Sequence, residues 1–203
     1  MAVKCDRPFR KSDGCKYCLW GASLVLAVSS FFTVSASAQN YRVDTSASTV
    51  RFTLGGSHTV VGTFKVSSGD FSLDPQSGAM KGMVTVDASS GNSDDKGRDK
   101  KMTNDQMKAQ NFPSITFAPA KFSGQVKDSG DSTGQVDGTF TLLGQGHALS
   151  VPMTVHVEGD HFTATGSFMV PYVSWGMKDP SWFVMKEAKE VKVDLKLAGT
   201  VSK

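Results

Sequence analysis

Short runs in which apolar and polar residues alternate make up most of this chain. In one of them, Val50, Phe52 and Leu54 alternate with Arg51 and Thr53. Alternation with a period of two residues is typical of a strand that is buried on one face. Similar runs, with glycine-containing turns between many of them, occur at residues 58–66, 69–73, 84–86, 115–117, 136–142, 151–157, 162–168 and 191–197. The pattern predicts eight or nine short antiparallel strands.

The two faces of these strands favour a barrel over a sandwich. Most strands carry one apolar face and one face of Thr, Ser, Lys and Asp, so a single interior accommodates all the apolar faces. Closure also removes exposed strand edges. We therefore predict an all-β fold, a single antiparallel β-barrel of about eight strands. A barrel of this size is either filled by side chains or wide enough for one ligand, and the sequence leaves both alternatives open.

The alternation stops at residues 88–117, where polar residues dominate. Asp94 or Asp95 is suited to cap a short helix that carries Arg98, and Pro113 ends the excursion. The sequence therefore predicts a short helical excursion from the barrel, which is either a lid over one end or part of an active site.

The first residues differ in composition from the rest of the chain. Five basic residues precede an apolar stretch at residues 19–34, and Ala36, Ser37 and Ala38 form a small-residue cleavage signal. Residues 1–38 are thus predicted to be a secretory signal peptide, with an uncleaved anchor as the alternative. Residues 39–203 are predicted to form one exported domain, located in the periplasm or secreted.

Removing the predicted leader changes the charge balance. The leader holds five of the 22 basic residues and two of the 19 acidic ones, so 17 of each remain. A neutral chain lacks the basic surface that nucleic-acid binding requires. All three cysteines also lie in the leader, which excludes disulfides, thiol nucleophiles and thiolate metal sites from the remainder.

No group of catalytic residues stands out in the remaining sequence. The four histidines are scattered, and neither a G-x-S-x-G motif nor a phosphate-binding glycine loop is found. We predict no catalytic residues, no metal and no cofactor. Arg98 and Asp99 either hold a polar ligand end at the barrel mouth or pin the excursion to the barrel, and we favour the second. The aromatic insertion at residues 171–183 is either a packed flap or the portal of an apolar cavity, lined by Trp175, Met177 or Trp182.

Several motifs together resemble the YceI-like family of exported, lipocalin-like barrels associated with polyisoprenoid lipids. They span nearly all of residues 41–199 and comprise Tyr41-x-Val43-Asp44, Gly62-Thr63-Phe64, Asp74-Pro75, Arg98-Asp99 with Met102, and Phe112-Pro113-x-Ile115-x-Phe117. The turn at residues 144–149 departs from the family pattern, because it lacks the usual basic residue and proline. The resemblance implies a YceI-like, lipocalin-like β-barrel domain over residues 39–203.

The resemblance also implies an apolar isoprenoid or lipid ligand inside the barrel, such as a polyisoprenoid or an isoprenoid quinone. The expected ligand-binding residues are Phe52, Phe64, Phe71, Met102, Met107, Phe117, Phe140, Phe168 and Trp175. Transport or storage without catalysis is the favoured function. A barrel enzyme acting on a small apolar substrate through His58 or Arg98-Asp99, and an envelope stress protein with a filled barrel, are the alternatives. Transient membrane contact and a homodimer are left open.

Overall fold

The computed structural model describes residues 38–180 and 187–202. All but one residue of the predicted signal peptide, and Trp182 of the aromatic insertion, lie outside these ranges. The described part contains ten strands and one short α-helix, α1, which continues into a π-helical turn, Met102–Gln106. Their bounds are β1 Gln39–Val43, β2 Thr49–Gly56, β3 Val60–Phe64, β4 Val66–Leu73, β5 Met80–Asp87, α1 Lys96–Lys101, β6 Ser114–Gly124, β7 Gly130–Leu142, β8 Gln145–Glu158, β9 His161–Val170 and β10 Glu187–Ser202.

The strands form a closed antiparallel barrel. Each strand from β4 to β10 pairs with the next along the chain, and β1 lies between β4 and β10. One edge of β10 pairs first with β2 and then with β1, so β1 and β2 together occupy one barrel position. In the same way β3 and β4, which are separated only by Lys65, occupy the next one. The prediction of an all-β barrel of about eight strands is confirmed.

Irregularities in pairing explain where the apolar residues change parity. From β2 to the start of β4 the inward residues are even-numbered up to Val66, whereas Gly69, Phe71 and Leu73 in the rest of β4 are odd-numbered, and the β4–β5 register shifts between Val66 and Ser68. The β6–β7 register shifts likewise between Pro119 and Lys121, which lets both Phe117 and Phe122 line the interior. A β-bulge adds one residue to one strand, so the side chains beyond it keep facing the core.

Glycines on the inner strand faces make room for neighbouring aromatic rings. A Cβ atom on Gly62 would lie 2.5 Å from the Phe52 ring and 2.5 Å from the carbonyl oxygen of Asn92. A Cβ atom on Gly138 would lie 2.7 Å from the ring of Phe117. At both glycines, the space that a side chain would take is therefore occupied by an aromatic ring from an adjacent strand.

The connections alternate between two ends of the barrel. The turns β2–β3 and β7–β8 and the long connections β5–β6 and β9–β10 share one end, which we call the lid end. The β4–β5, β6–β7 and β8–β9 turns and both termini of the barrel share the other, which we call the floor end. The predicted helical excursion is confirmed as α1 and its π-helical turn in the β5–β6 connection. No helix among the described residues is long and apolar enough to cross a membrane.

We expect Gly62→Ala to lower the free energy of unfolding by about 2 kcal/mol, because the added methyl group must displace a backbone oxygen or the Phe52 ring. Gly55→Ala is the matched control in the neighbouring strand, since a Cβ atom there meets nothing within 4 Å. Urea denaturation of the two variants measures the difference. Equal stability of both would contradict the close approach at Gly62.

Candidate functional site

The barrel contains a large apolar cavity of about 1090 Å³. Its wall is formed by inward side chains from every strand position around the barrel. Lining residues run along β10 from Glu187 to Leu197. With a rise of about 3.3 Å per residue and a strand tilt of about 40°, this stretch is roughly 25 Å deep along the barrel axis. An interior of this size disagrees with the alternative of a filled barrel.

Eight of the nine residues predicted to bind ligand line this cavity, and the ninth, Trp175, does not. The eight are Phe52, Phe64, Phe71, Met102, Met107, Phe117, Phe140 and Phe168. Phe52 and Phe64 are buried, and the other six are half-buried. Half-burial of inward apolar side chains shows that their neighbours leave part of their surface uncovered. Their role in ligand binding stays a prediction.

Aromatic packing forms the floor of the cavity. The Tyr41 ring stacks on Phe71 with centroids 5.0 Å apart, and Phe162 meets Tyr41 edge-on at 5.1 Å. The Tyr41 hydroxyl donates to Gln39 Oε1 at 2.8 Å, and Gln39 Nε2 donates to Asp128 at 3.0 Å. Burial, and secondly the charge of Asp128, raises the pKa of Tyr41 above its usual value. Tyr41 is thus a neutral, hydrogen-bonded part of a dry floor.

The lid comprises α1 and the π-helical turn, residues 96–106. Asp95 caps α1 by accepting hydrogen bonds from the backbone N–H groups of Gly97 and Arg98, at 2.9 and 3.0 Å. The hydrogen bond from Arg98 is the main reason why the pKa of Asp95 is lowered. Of the two caps predicted, the structure uses Asp95.

The π-helical turn places two methionines over the cavity. Met102 and Met107 are five residues apart, which on an α-helix of 3.6 residues per turn separates them by about 140°. Here the Met107 N–H donates to the Met102 carbonyl, so the turn is one residue wider and both side chains line the cavity. Phe112, five residues further on, packs against Gly144 in the β7–β8 turn and does not line the cavity.

Ser93 anchors the lid to the chain before it. Arg98 Nε donates to Ser93 Oγ at 2.7 Å, and the guanidinium also donates to the Ser93 carbonyl at 2.8 Å. Asp99 accepts from both the backbone N–H and the hydroxyl of Ser93. The side chains of Arg98 and Asp99 therefore hold the buried Ser93 within the same connection, and the neighbouring Asn92 pairs with Thr63 of β3, so this pair ties α1 to the barrel only indirectly.

Trp175 packs outside the cavity at the lid end. Its ring stacks on the His147 imidazole with centroids 4.2 Å apart, and lies 5.7 Å from the centroid of Phe140. Because Phe140 does line the cavity, Trp175 supports the wall from behind. Trp175 thus packs as the flap alternative predicts, whereas residues 177–180 of the same loop line the cavity, as the portal alternative predicts for Met177.

Tyr172 closes the wall beside the same loop and was missed by the sequence analysis. Its side chain is buried, lines the cavity and donates a hydrogen bond to the Ala188 carbonyl at 2.7 Å. Burial, followed by the charges of Asp179 and Glu187, raises the pKa of Tyr172 to about 12. The sequence did contain a signal for Tyr172, because this residue continues the alternation of buried residues that runs through β9 to Val170.

Most polar residues that line the cavity lie at the lid end. They include His58 from the β2–β3 turn, and Lys101, Asp105 and Gln106 from the lid segment. We call this polar lining at the lid end the rim. His58 and Arg98, which the enzyme alternative would use, both belong to it, and Arg98 donates to Ser93. No group of three or more histidine and acidic side chains in the described ranges is arranged to hold a metal ion.

Comparison with known proteins supports the same fold. The profile of the YceI-like domain matches residues 41–198. A UPF0312 protein of Shewanella oneidensis is 31% identical over 179 residues, which cover 85% of this chain and 87% of the relative. Among solved structures, Burkholderia cenocepacia BcnA has a TM-score of 0.66 at 23% identity, over 78% of this chain and 99% of BcnA. A polyisoprenoid binding domain from Saccharophagus degradans has a TM-score of 0.63 at 15% identity, over 80% and 98%.

Arg98→Ala removes both hydrogen bonds to Ser93, so we expect it to lower the free energy of unfolding by about 1 kcal/mol. Lys100→Ala, an exposed change in the same helix, is the control and should have little effect. Thermal melting of both variants tests this. A variant with unchanged stability but lost ligand binding would instead assign Arg98 to the ligand.

The raised pKa of Tyr172 predicts a loss of stability at alkaline pH. Below pH 10 both folded and unfolded chains keep the phenolic proton, whereas between pH 10 and about 12 mainly the unfolded chain loses it. The free energy of unfolding should therefore fall across that window. Tyr172→Phe should show a smaller fall, as measured by urea denaturation at several pH values. An identical pH dependence in both proteins would contradict the assignment.

Proposed function

The chain belongs to the YceI-like domain family, and we propose that it is an exported protein that binds an apolar, lipid-like ligand inside its barrel. The ligand class is a polyisoprenoid or an isoprenoid quinone, and the role is transport or storage without catalysis. The observation that carries this proposal is the open apolar cavity of about 1090 Å³, which is closed by an aromatic floor.

The energetics of the cavity suit a long hydrocarbon ligand. Each CH₂-sized group moved from water into an apolar interior contributes about 0.8 kcal/mol. A chain of many such groups therefore gains useful affinity from its tail alone. The half-buried rings of Phe117, Phe140 and Phe168 supply a wall whose remaining exposed surface a tail would cover.

A structural relative supports the ligand class. The Saccharophagus degradans domain, which has the same fold, is described as a polyisoprenoid binding domain. In the present chain the cavity-lining side chains are largely aliphatic and aromatic, which fits a branched hydrocarbon. Binding of a polyisoprenoid by this chain is our proposal.

Export supports the same function. The small-residue signal at Ala36, Ser37 and Ala38 favours release of residues 39–203 into the periplasm or the medium. A long-chain isoprenoid resides in membranes, so its transfer requires transient contact between the barrel and a membrane. We assign that contact to the lid end, where polar side chains form the rim of the cavity.

Binding without catalysis rests on how the polar groups are engaged. The side chain of Arg98 is committed to Ser93, and Asp95 caps α1. An active site needs several such groups aimed together at one reacting atom. These hydrogen bonds shape the lid, and the wall beneath it is apolar.

The test is native mass spectrometry of the protein purified from osmotic-shock fluid, together with titration of a polyisoprenoid. Val155→Trp places a bulky ring in the cavity, because Val155 lines it, and should weaken isoprenoid binding about tenfold. Thr154→Trp adds the same ring to the exposed outer face of β8 and should bind normally.

The outcomes separate clearly. A mass increment that matches an isoprenoid, lost on organic extraction, supports the proposal. Ligand-free protein that also ignores long-chain isoprenoids would overturn it. Protein confined to the cytoplasmic fraction would overturn the assignment to the periplasm.

A further inference from the structure

Gln106 presents a buried acceptor at the wall of the cavity. Its Oε1 atom is shielded from solvent and receives no hydrogen bond from the residues that the structure describes. The residue lies at the end of the π-helical turn, directly before Met107, and both line the cavity. The residue therefore lies between the polar rim and the apolar interior, while Oε1 itself is shielded from the cavity by its neighbours.

A buried acceptor without a donor is unfavourable, because folding removes its hydrogen bond to water without replacing it. The terminal torsion of a glutamine side chain rotates over a broad range at low cost. Rotation about this torsion is the movement that would bring Oε1 to the cavity surface, where a donor on a bound molecule restores the lost hydrogen bond. The complement of Gln106 is therefore a ligand with an O–H group at the lid end.

The charges around this position argue against an anionic head group. On the lid side, Arg98 and Lys101 are accompanied by Asp95 and Asp105. Arg98 donates to Ser93 on one side, while Asp95 accepts from the N-terminus of α1. The two cations of the lid that line the cavity are thus balanced by two lining carboxylates, Asp105 in the lid and Asp95 directly before it.

On the opposite side of the rim, the carboxylates that line the cavity outnumber the cations. The β9–β10 connection and the start of β10 contribute Lys178, Asp179 and Glu187 to the described lining. A diphosphate is recognised by an excess of basic groups and backbone N–H donors. The described rim has no such excess, and a multiply charged phosphate would face Asp105, Asp179 and Glu187.

These observations lead beyond the ligand class to the chemistry of its head. We propose, on the basis of the function proposed above, that the ligand is a polyisoprenoid with an uncharged hydroxyl head, an alcohol or a reduced quinone. The tail points to the aromatic floor, and the hydroxyl donates its hydrogen bond to Gln106 Oε1. The site thereby selects hydroxyl heads over both ethers and diphosphates.

The experiment uses three probes with one tail: geranylgeraniol, its methyl ether and its diphosphate. Pairs of probes compete for the protein at equal concentration, and native mass spectrometry measures the bound ratio. We expect the alcohol to be favoured over the ether about fivefold to tenfold, the range that one net hydrogen bond gives. The diphosphate should bind more weakly than the alcohol.

Gln106→Met keeps the length of the side chain and removes the strong acceptor. In this variant we expect the preference for the alcohol to fall to near unity, while affinity for the ether stays within about twofold, because the apolar contacts of the tail are retained. Ether binding therefore also reports that the variant is folded. Gln110→Met is the matched control, since Gln110 is exposed and outside the lining, and it should keep the wild-type preference.

Three results would overturn this inference: equal binding of alcohol and ether by the wild type, a preference that survives in Gln106→Met, or tighter binding of the diphosphate. Each of them leaves the proposed lipid-binding function standing, because a probe is still bound. Failure of all three probes to bind would overturn the proposed function and this inference together.

Discussion

The closure of the barrel depends on one long strand. β10 pairs along one edge with β9 and along its other edge with β2 and then β1, so it joins the last part of the chain to the first. With these pairings made, the ring of strands has no open edge. The circumference is then fixed by eight strand positions. The sequence sets the volume of the side chains inside this ring. The cavity is the part of the interior volume that these side chains leave unfilled.

The two ends of this tube differ in their physical chemistry. At the floor end, Tyr41, Phe71 and Phe162 pack ring against ring, and the one polar atom of the cluster donates to Gln39. At the lid end the covering segment buries none of its residues completely and is held chiefly by hydrogen bonds to Ser93. Segments with few buried apolar contacts are the first to open locally. By this criterion the lid end is the end that opens at the lower cost.

Much of the barrel was predictable because strand alternation is a local property of the sequence. Even the change of parity between Val66 and Gly69 was visible as a pattern, although the bulge that explains it was not. The site was less predictable because it depends on how connections fold over the barrel end. Met102 was expected to face inward, but only the wider π-helical turn explains how Met107 joins it. Gln106 was missed because one polar residue within a polar segment carries no periodic signal.

The aromatic floor closes one end of the cavity and so limits how far a bound tail can extend into it. A tail shorter than the roughly 25 Å depth leaves unfilled space above the rings, and a longer one keeps its head outside the rim. Only a tail of intermediate length contacts the floor while its head lies at the rim. For the ligand proposed above, the stacking of Tyr41 on Phe71, far from the lid end, would therefore set the length of the tail that fits.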